Sequence, residues 1–155
     1  MKRLLLLRHA KSAGKEDPRL TDHQRPLAPR GERACAAMAQ HLAGTAVDLV
    51  LCSTARRAAD TWEGVKGGVQ AGEVRFEDRL YTFDEDDLHG RLAELDDEAD
   101  SVMLVGHNPA LEMLIFDLTG EDVGKFPTAA LAEIAVHDEQ LVSLVRPREL
   151  SVPNT

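Results

Sequence analysis

Three short stretches hold residue types that can act together on a phosphoryl group: Arg8-His9, Arg56-Arg57 and Gly106-His107-Asn108-Pro109. Each follows a short apolar run: Leu4–Leu7, Leu49–Cys52 and Val102–Val105. In open parallel sheets ligands bind outside the carboxyl ends of the strands, so three such ends would gather Arg8, His9, Arg57 and His107 around one pocket. A guanidinium offers a planar fork of donors matched to phosphate oxygens, and the helices that follow add oriented N–H groups. A tetrahedral phosphoryl group is the guest that such a pocket suits.

Taken singly, each residue has a purely structural alternative. Arg8 can cap a strand end at the surface, His9 can be a satisfied histidine in the core, and His107 can cap the helix that begins near Pro109. Arg57 can be a solvated residue at a helix start, although a cation in the first turn opposes the helix dipole unless an anion sits against it. Shared topology is what favours function for all four together.

The elements that must position these residues read as alternating strands and helices. Leu4–Leu7 has the unbroken apolar pattern of a parallel strand buried on both faces, here Arg3–Arg8. Pro29 suits a helix start, with Ala34, Ala37, Met38 and Leu42 at helical spacing and Gly44 as the stop. Asp48–Cys52 is a second strand, leading into a helix whose inner face is Ala55, Ala58, Ala59, Trp62 and Val65. Val74–Phe76 is a short third strand. Leu88, Leu92 and Leu95 mark an acidic helix, followed by strand Ser101–Val105 and a helix carrying Leu111, Leu114, Ile115 and Leu118. Ala130–Val136 and Leu141–Arg146 flank the polar His137-Asp138-Glu139 and read as a hairpin. The expected fold is α/β, a three-layer α/β/α sandwich with an open, mostly parallel sheet and a C-terminal hairpin.

A chain of 155 residues suits one domain, 1–155, with a loosely ordered tail from about 147 to 155. Eighteen Lys and Arg against 27 Asp and Glu give a net charge of −9, which disfavours nucleic acid and anionic membrane as partners. The charge is uneven: residues 1–33 carry nine basic and four acidic side chains, residues 77–122 two and fifteen. An anion site near the N-terminus is therefore expected. The apolar run after Met1 stops at Arg8, short of a signal peptide's core, and Cys35 and Cys52 lack metal spacing, so a cytoplasmic protein with core thiols is expected. Asp22-His23 hints at metal binding, but no His-x-His or His-Glu-x-x-His spacing accompanies it, and no metal or other cofactor is expected. Gly120–Phe126 lacks P-loop spacing, and no Gly-x-Ser-x-Gly elbow occurs.

Leu6-Leu7-Arg8-His9-Ala10 resembles the Arg-His-Gly/Ala signature of the histidine phosphatase (phosphoglycerate-mutase-like) superfamily. Ser53-x-x-x-Arg57-Ala58-x-x-Thr61 and Val105-Gly106-His107-Asn108-Pro109 are similar to its second and third signatures, in order. Within the superfamily, Asp22–Leu27 and Phe126-Pro127-Thr128 resemble the SixA branch of phosphohistidine phosphatases. The resemblance implies a phosphoglycerate-mutase-like fold, His9 as the nucleophile that takes the phosphoryl group, and Arg8, Arg57 and His107 as ligands of its oxygens. Phosphoryl transfer is mainly positioning and stabilisation of oxygen charge. His9 must attack as neutral imidazole, whereas His107 is expected to serve better protonated. Asp22 is the preferred proton donor, with Glu77 and Glu85 behind it and an Arg25 salt bridge as the alternative role for Asp22. Ser12 is a further candidate phosphate donor. The expected substrate is phosphohistidine on a protein, hydrolysed without a metal. A small phosphomonoester on the same machinery and a non-catalytic phosphate-binding module are the rivals. A monomer is compatible with the sequence.

Overall fold

The structure, a computed structural model, describes residues 1–95 and 98–150. The elements run β1 (Arg3–Arg8), α1 (Pro29–His41), β2 (Thr45–Ser53), α2 (Arg56–Val65), β3 (Val69–Glu77), α3 (Glu85–Leu95), β4 (Ser101–Gly106), α4 (Ala110–Thr119), β5 (Leu131–Ala135) and β6 (Gln140–Val145). The strands form one sheet in the order β3-β2-β4-β1-β5-β6. The first four are mutually parallel, and β5 and β6 add an antiparallel edge. This is the expected α/β/α sandwich, with an open, mostly parallel sheet and a C-terminal hairpin.

Burial on both faces explains the unbroken apolar runs. Leu4 and Leu6 pack with Leu111, Leu114 and Leu88 beneath α3 and α4, while Leu5 and Leu7 pack with Met38, Ala58 and Trp62 beneath α1 and α2. Each of these four leucines is at most 2% exposed, and burying each stabilises the fold by roughly 1.5–3 kcal/mol. Pro29 at the first position of α1 fits the helix start, and Gly44 (φ 82°) turns the chain into β2. α4 ends at Gly120 in the left-handed conformation, its N–H bonded to Phe116 O.

The second and third strands are longer than the sequence suggests, Thr45–Ser53 and Val69–Glu77 in place of Asp48–Cys52 and Val74–Phe76. β3 is a half-exposed edge strand interrupted by Gly72, where a Cβ would meet Asp48 O at 2.6 Å, so its interior is neither apolar nor strictly alternating. The tail expected to be loose from about 147 is in place through Leu150. Pro147–Glu149 forms a 3-10 turn and Leu150 packs on the α1/α2 core. The remainder of that expected tail, 151–155, lies outside the described residues. No helix among the described residues is long and apolar enough to cross a membrane.

Candidate active site

Sheet register delivers the site. Arg8 pairs with Gly106 across β1 and β4, and Cys52 pairs with Val105 across β2 and β4, so His9, Ser53 and His107 emerge at one level. The turn after β1 is fixed from three directions. His9 N–H bonds to Gly106 O, Ala10 N–H to Thr61 Oγ1 at 2.8 Å, and Ala129 N–H to the carbonyls of Arg8 and His9. Thr61 in turn donates to Arg57 O, tying α2 to the same turn.

The His9 ring is 7% exposed, and its Nδ1 lies 2.8 Å from Ala10 O. A carbonyl only accepts, so Nδ1 carries the proton and the neutral ring keeps its lone pair on Nε2. Burial, reinforced by the guanidiniums of Arg57 and Arg8, holds the His9 pKa down at about 4. The ring is thus neutral at physiological pH, as an attacking imidazole must be. A cleft of about 720 Å³ opens over it, walled by Arg8, Arg25, Arg57, Ser12, Asn108 and Phe83 among others.

The arginines are held with donor atoms to spare. Arg8 donates from one terminal nitrogen to Phe126 O at 3.0 Å, and Asn108, bonded to Glu112 and to Phe126 O, fixes that loop. Arg57, 3% exposed, donates to Asp22 O and Asp22 Oδ2 at 2.8 and 3.0 Å. Yet Nε of Arg8, of Arg25 and of Arg57, together with Nδ1 of His107, is buried without a hydrogen-bond partner among the described residues. Arg25 Nε still has Asp22 Oδ1 at 3.3 Å, but the orphaned donors of Arg8 and Arg57 are costly, and the three guanidiniums together leave positive charge on the cleft wall that suits an oxyanion.

His107 is 1% exposed and stands one layer deeper, its ring centroid 5.1 Å from that of His9 and its Nε2 2.8 Å from Ser53 Oγ. Burial, then the neighbouring His9 and Arg57, push its pKa down to about 3. The expectation of a protonated His107 is therefore corrected for the ligand-free protein: a cation here would be desolvated among other cations.

Asp22 is brought to the site but its surroundings oppose a role as proton donor. Its carboxylate accepts from Tyr81 Oη and from Arg57, and lies 3.3 Å from Arg25 Nε. The Tyr81 hydroxyl first, and Arg57 next, hold its pKa at about 2, which leaves it ionised at neutral pH. Glu77 forms a two-pronged pair with Arg91 outside the cleft, and Glu85 begins α3 without lining the cleft. Ser12 lies in the cleft wall, its backbone bridged to Leu27. His23 is spent on Thr54 Oγ1 at 3.0 Å and packs edge-on against Tyr81. Among the described residues no three His, Cys, Asp or Glu side chains gather as a metal site.

The family model of the histidine phosphatase superfamily (branch 1) matches residues 4–102. The chain belongs to this histidine phosphatase superfamily. It is 35% identical over 144 residues to an uncharacterised protein of Mycobacterium leprae, covering 84% of this chain and 87% of that one. Among solved structures, a protein of Nakamurella multipartitia assigned as the phosphohistidine phosphatase SixA superposes with a TM-score of 0.79 at 29% identity, covering 94% of this chain and 96% of that one. One of Agrobacterium tumefaciens with the same assignment gives 0.79 at 30%, covering 94% and 99%. This histidine phosphatase is thus SixA-like within its superfamily, and it is a phosphatase that works through histidine.

Sequence reasoning did not single out three residues of the histidine phosphatase site: Arg25 in the wall, Tyr81 on Asp22, and Phe83 at the rim, its centroid 5.7 Å from His107. Arg25 enters the sequence reading only as the alternative salt-bridge partner of Asp22, a pair that the structure forms at 3.3 Å, and not as a wall of the cleft. Tyr81 and Phe83 arrive from the turn after β3, and nothing local in the sequence marks them.

Proposed function

We propose that the protein removes phosphoryl groups from phosphohistidine on proteins, through a covalent phosphohistidine at His9 Nε2 and without a metal ion. One observation carries this reading: His9 is a neutral imidazole whose only free nitrogen is Nε2, set among guanidiniums that keep unpaired buried donors. Positive charge facing the cleft is the arrangement for equatorial phosphoryl oxygens, and it repels a divalent cation.

In the first step His9 Nε2 bonds to phosphorus as the substrate P–N bond breaks. A substrate imidazole already protonated on its other nitrogen takes the bonding pair and leaves neutral, so the step needs no general acid. This suits a site whose nearest carboxylate, Asp22, is ionised. In the second step a water oxygen bonds to phosphorus, the pair of the P–N bond returns to Nε2, and both water protons leave with dihydrogen phosphate. Throughout, the Nδ1–H bond to Ala10 O holds the ring in place. If the Ser53 hydroxyl donates to His107 Nε2, the proton of neutral His107 sits on Nδ1, the orphaned atom, as a donor to the oxyanion. Asp22 is assigned a positioning role, orienting Arg57.

The test is a rapid alkaline-compatible quench with a labelled phosphohistidine protein and peptide mapping by mass spectrometry. Phosphate on the His9 peptide, turnover insensitive to chelator, and loss of both label and turnover in His9→Ala are the expected results. Label at another residue, or activity restored only by a divalent cation, would overturn the mechanism. Turnover of nucleotide or sugar phosphates far above that of phosphohistidine would overturn the substrate.

A further inference from the structure

A second cleft of about 380 Å³ adjoins the phosphate cleft, and the two share Lys11 and Thr128 as walls. Its floor is apolar, made by Ala34 and Ala37 of α1 with Pro127 and Pro147. Its rim is basic, carrying Lys11, Arg30, Arg33 and Arg148 from three separate segments of the chain. All four side chains are exposed, and none makes an ion pair or side-chain hydrogen bond among the described residues. Arg146 completes the rim but is bound to Lys125 O and Val123 O, with Glu149 at 3.6 Å.

The rim is an exception in a chain of net charge −9. Arg30 stands in the first turn of α1, where a cation opposes the helix dipole, and Arg33 follows one turn on. Backbone packing joins this rim to the active-site turn. Ala28 N–H bonds to Lys11 O at 2.8 Å, and a Cβ on Gly31 would lie 2.2 Å from that same oxygen, so α1 is pressed onto the segment that follows His9.

Resting on the phosphohistidine reading above, we infer that this cleft docks an acidic segment of the substrate protein beside its phosphohistidine. An apolar side chain lies on the alanine and proline floor, and carboxylates along the segment meet the rim cations. A polypeptide fits better than a compact second anion. Each exposed cation is worth little alone, and only an extended ligand with spaced carboxylates meets cations drawn from three segments at once.

The experiment uses the full chain and three probes: free phosphohistidine, a phosphohistidine peptide with a flank of glutamates around a leucine, and the same peptide with glutamines for glutamates. The variant is R30E/R33E, with R30K/R33K as the charge-preserving control. Glutamate is favoured in the first turn of a helix, so α1 is expected to hold. The expected result for R30E/R33E is a kcat/KM on the acidic peptide lowered about tenfold, mostly through KM, fading as salt screens the rim. Free phosphohistidine and the glutamine peptide are expected to stay within about twofold, and R30K/R33K to behave as wild type.

Unchanged acidic-peptide kinetics in R30E/R33E would sink the docking inference while leaving the phosphatase reading intact. An equal loss on a nucleoside 5′-phosphate would show that the cleft holds a small second anion, which also overturns it. If no phosphohistidine probe is hydrolysed, a fluorescent, unphosphorylated acidic peptide separates the two ideas. Binding to wild type and not to R30E/R33E keeps the docking site and removes the phosphohistidine reading, and binding to neither removes both.

Discussion

On the acidic side of the molecule, Arg75 meets Glu73 and Glu98, Arg79 meets Glu94, and Arg91 meets Glu77 through two hydrogen bonds. At the carboxyl ends of β1 and β2, by contrast, Arg8 and Arg57 keep a buried Nε with no hydrogen-bond partner among the described residues, and Arg25 beside them has only a 3.3 Å ion pair with Asp22. The first group is complete as it stands: its cations are neutralised by neighbours that hold β3 to α3 and the turns between them. The second group shares one carboxylate, Asp22, between Arg57 and Arg25, and Arg8 has no ion pair among the described residues, so positive charge is left over for an anion from outside. Arg57 is less exposed than Arg91, 3% against 8%, so depth of burial does not separate the two kinds of arginine. The count of unsatisfied donors does, and it coincides with the histidine whose tautomer leaves a nucleophilic nitrogen free.

The sharpest way to break this contrast starts with His9. His9→Ala is expected to lower kcat by about a thousandfold or more while the fold and phosphate binding persist, read by steady-state turnover and by phosphate titration. Retained turnover would move the nucleophile elsewhere. Next come the paired substitutions Arg57→Ala and Arg91→Ala. The first is expected to cost about 10²–10³ in kcat/KM, the scale of removing one donor to a transition-state oxyanion. The second is expected to cost about 1–3 kcal/mol of stability, below the figure for a fully buried pair because Glu77 stays partly solvated, with kcat/KM per folded molecule unchanged. Equal effects of the two on activity would erase the distinction between them.

The acid side of the pH profile sharpens the same point. With a pKa of about 4, His9 loses its lone pair to a proton only below that value, so kcat/KM is expected to rise through about pH 4 and not through 6.5. Stability follows the same sign. His9 and His107 titrate in the fold at about 4 and 3, below the ordinary 6.5, so the unfolded chain binds more protons in between. Stability is then full above about pH 6.5 and falls as pH drops toward 4 and 3. Thermal melts between pH 3 and 8 should show this slope, reduced in His9→Ala.

What the sequence made legible was whatever is written locally. β1, β2 and β4 each contain an uninterrupted apolar run, Leu4–Leu7, Leu49–Cys52 and Val102–Val105, because both faces of the inner sheet are covered, and the chemistry stands directly at their ends in Arg8-His9, Ser53 and Gly106-His107. The edge strand β3 was only half visible because one glycine and several charged residues break its pattern. The protonation state of His107 is not legible in the sequence because it depends first on how deeply the fold buries the ring and then on the charges packed around it, neither of which local spacing encodes. Asp22 was found for its position after β1, but its charge state is set by Tyr81, 59 residues away.

The smallest effects test that last pairing. If Asp22 were a general acid, Asp22→Asn would cripple hydrolysis of an alkyl phosphate and spare a nitrophenyl phosphate, whose leaving group needs no proton. As a positioning residue for Arg57 it should instead lower kcat/KM by about tenfold or less, by similar factors for both substrates, because both need the same orientation of the guanidinium. Tyr81→Phe probes the same link from further out. It removes the hydroxyl that is the main cause of the low Asp22 pKa but leaves both Arg57 bonds, so a loss of only about twofold to threefold is expected. The Asp22 pKa should rise from about 2 toward its ordinary 3.8, readable by carboxyl NMR titration. In the wild type Asp22 contributes stability above about pH 3.8 that is lost as pH falls through about 2, so the variant should lose part of that contribution and be less stable at neutral pH. A Tyr81→Phe protein as impaired as Asp22→Asn would mean that the phenol itself contacts the substrate, and the arginine contrast would then gain a neutral donor.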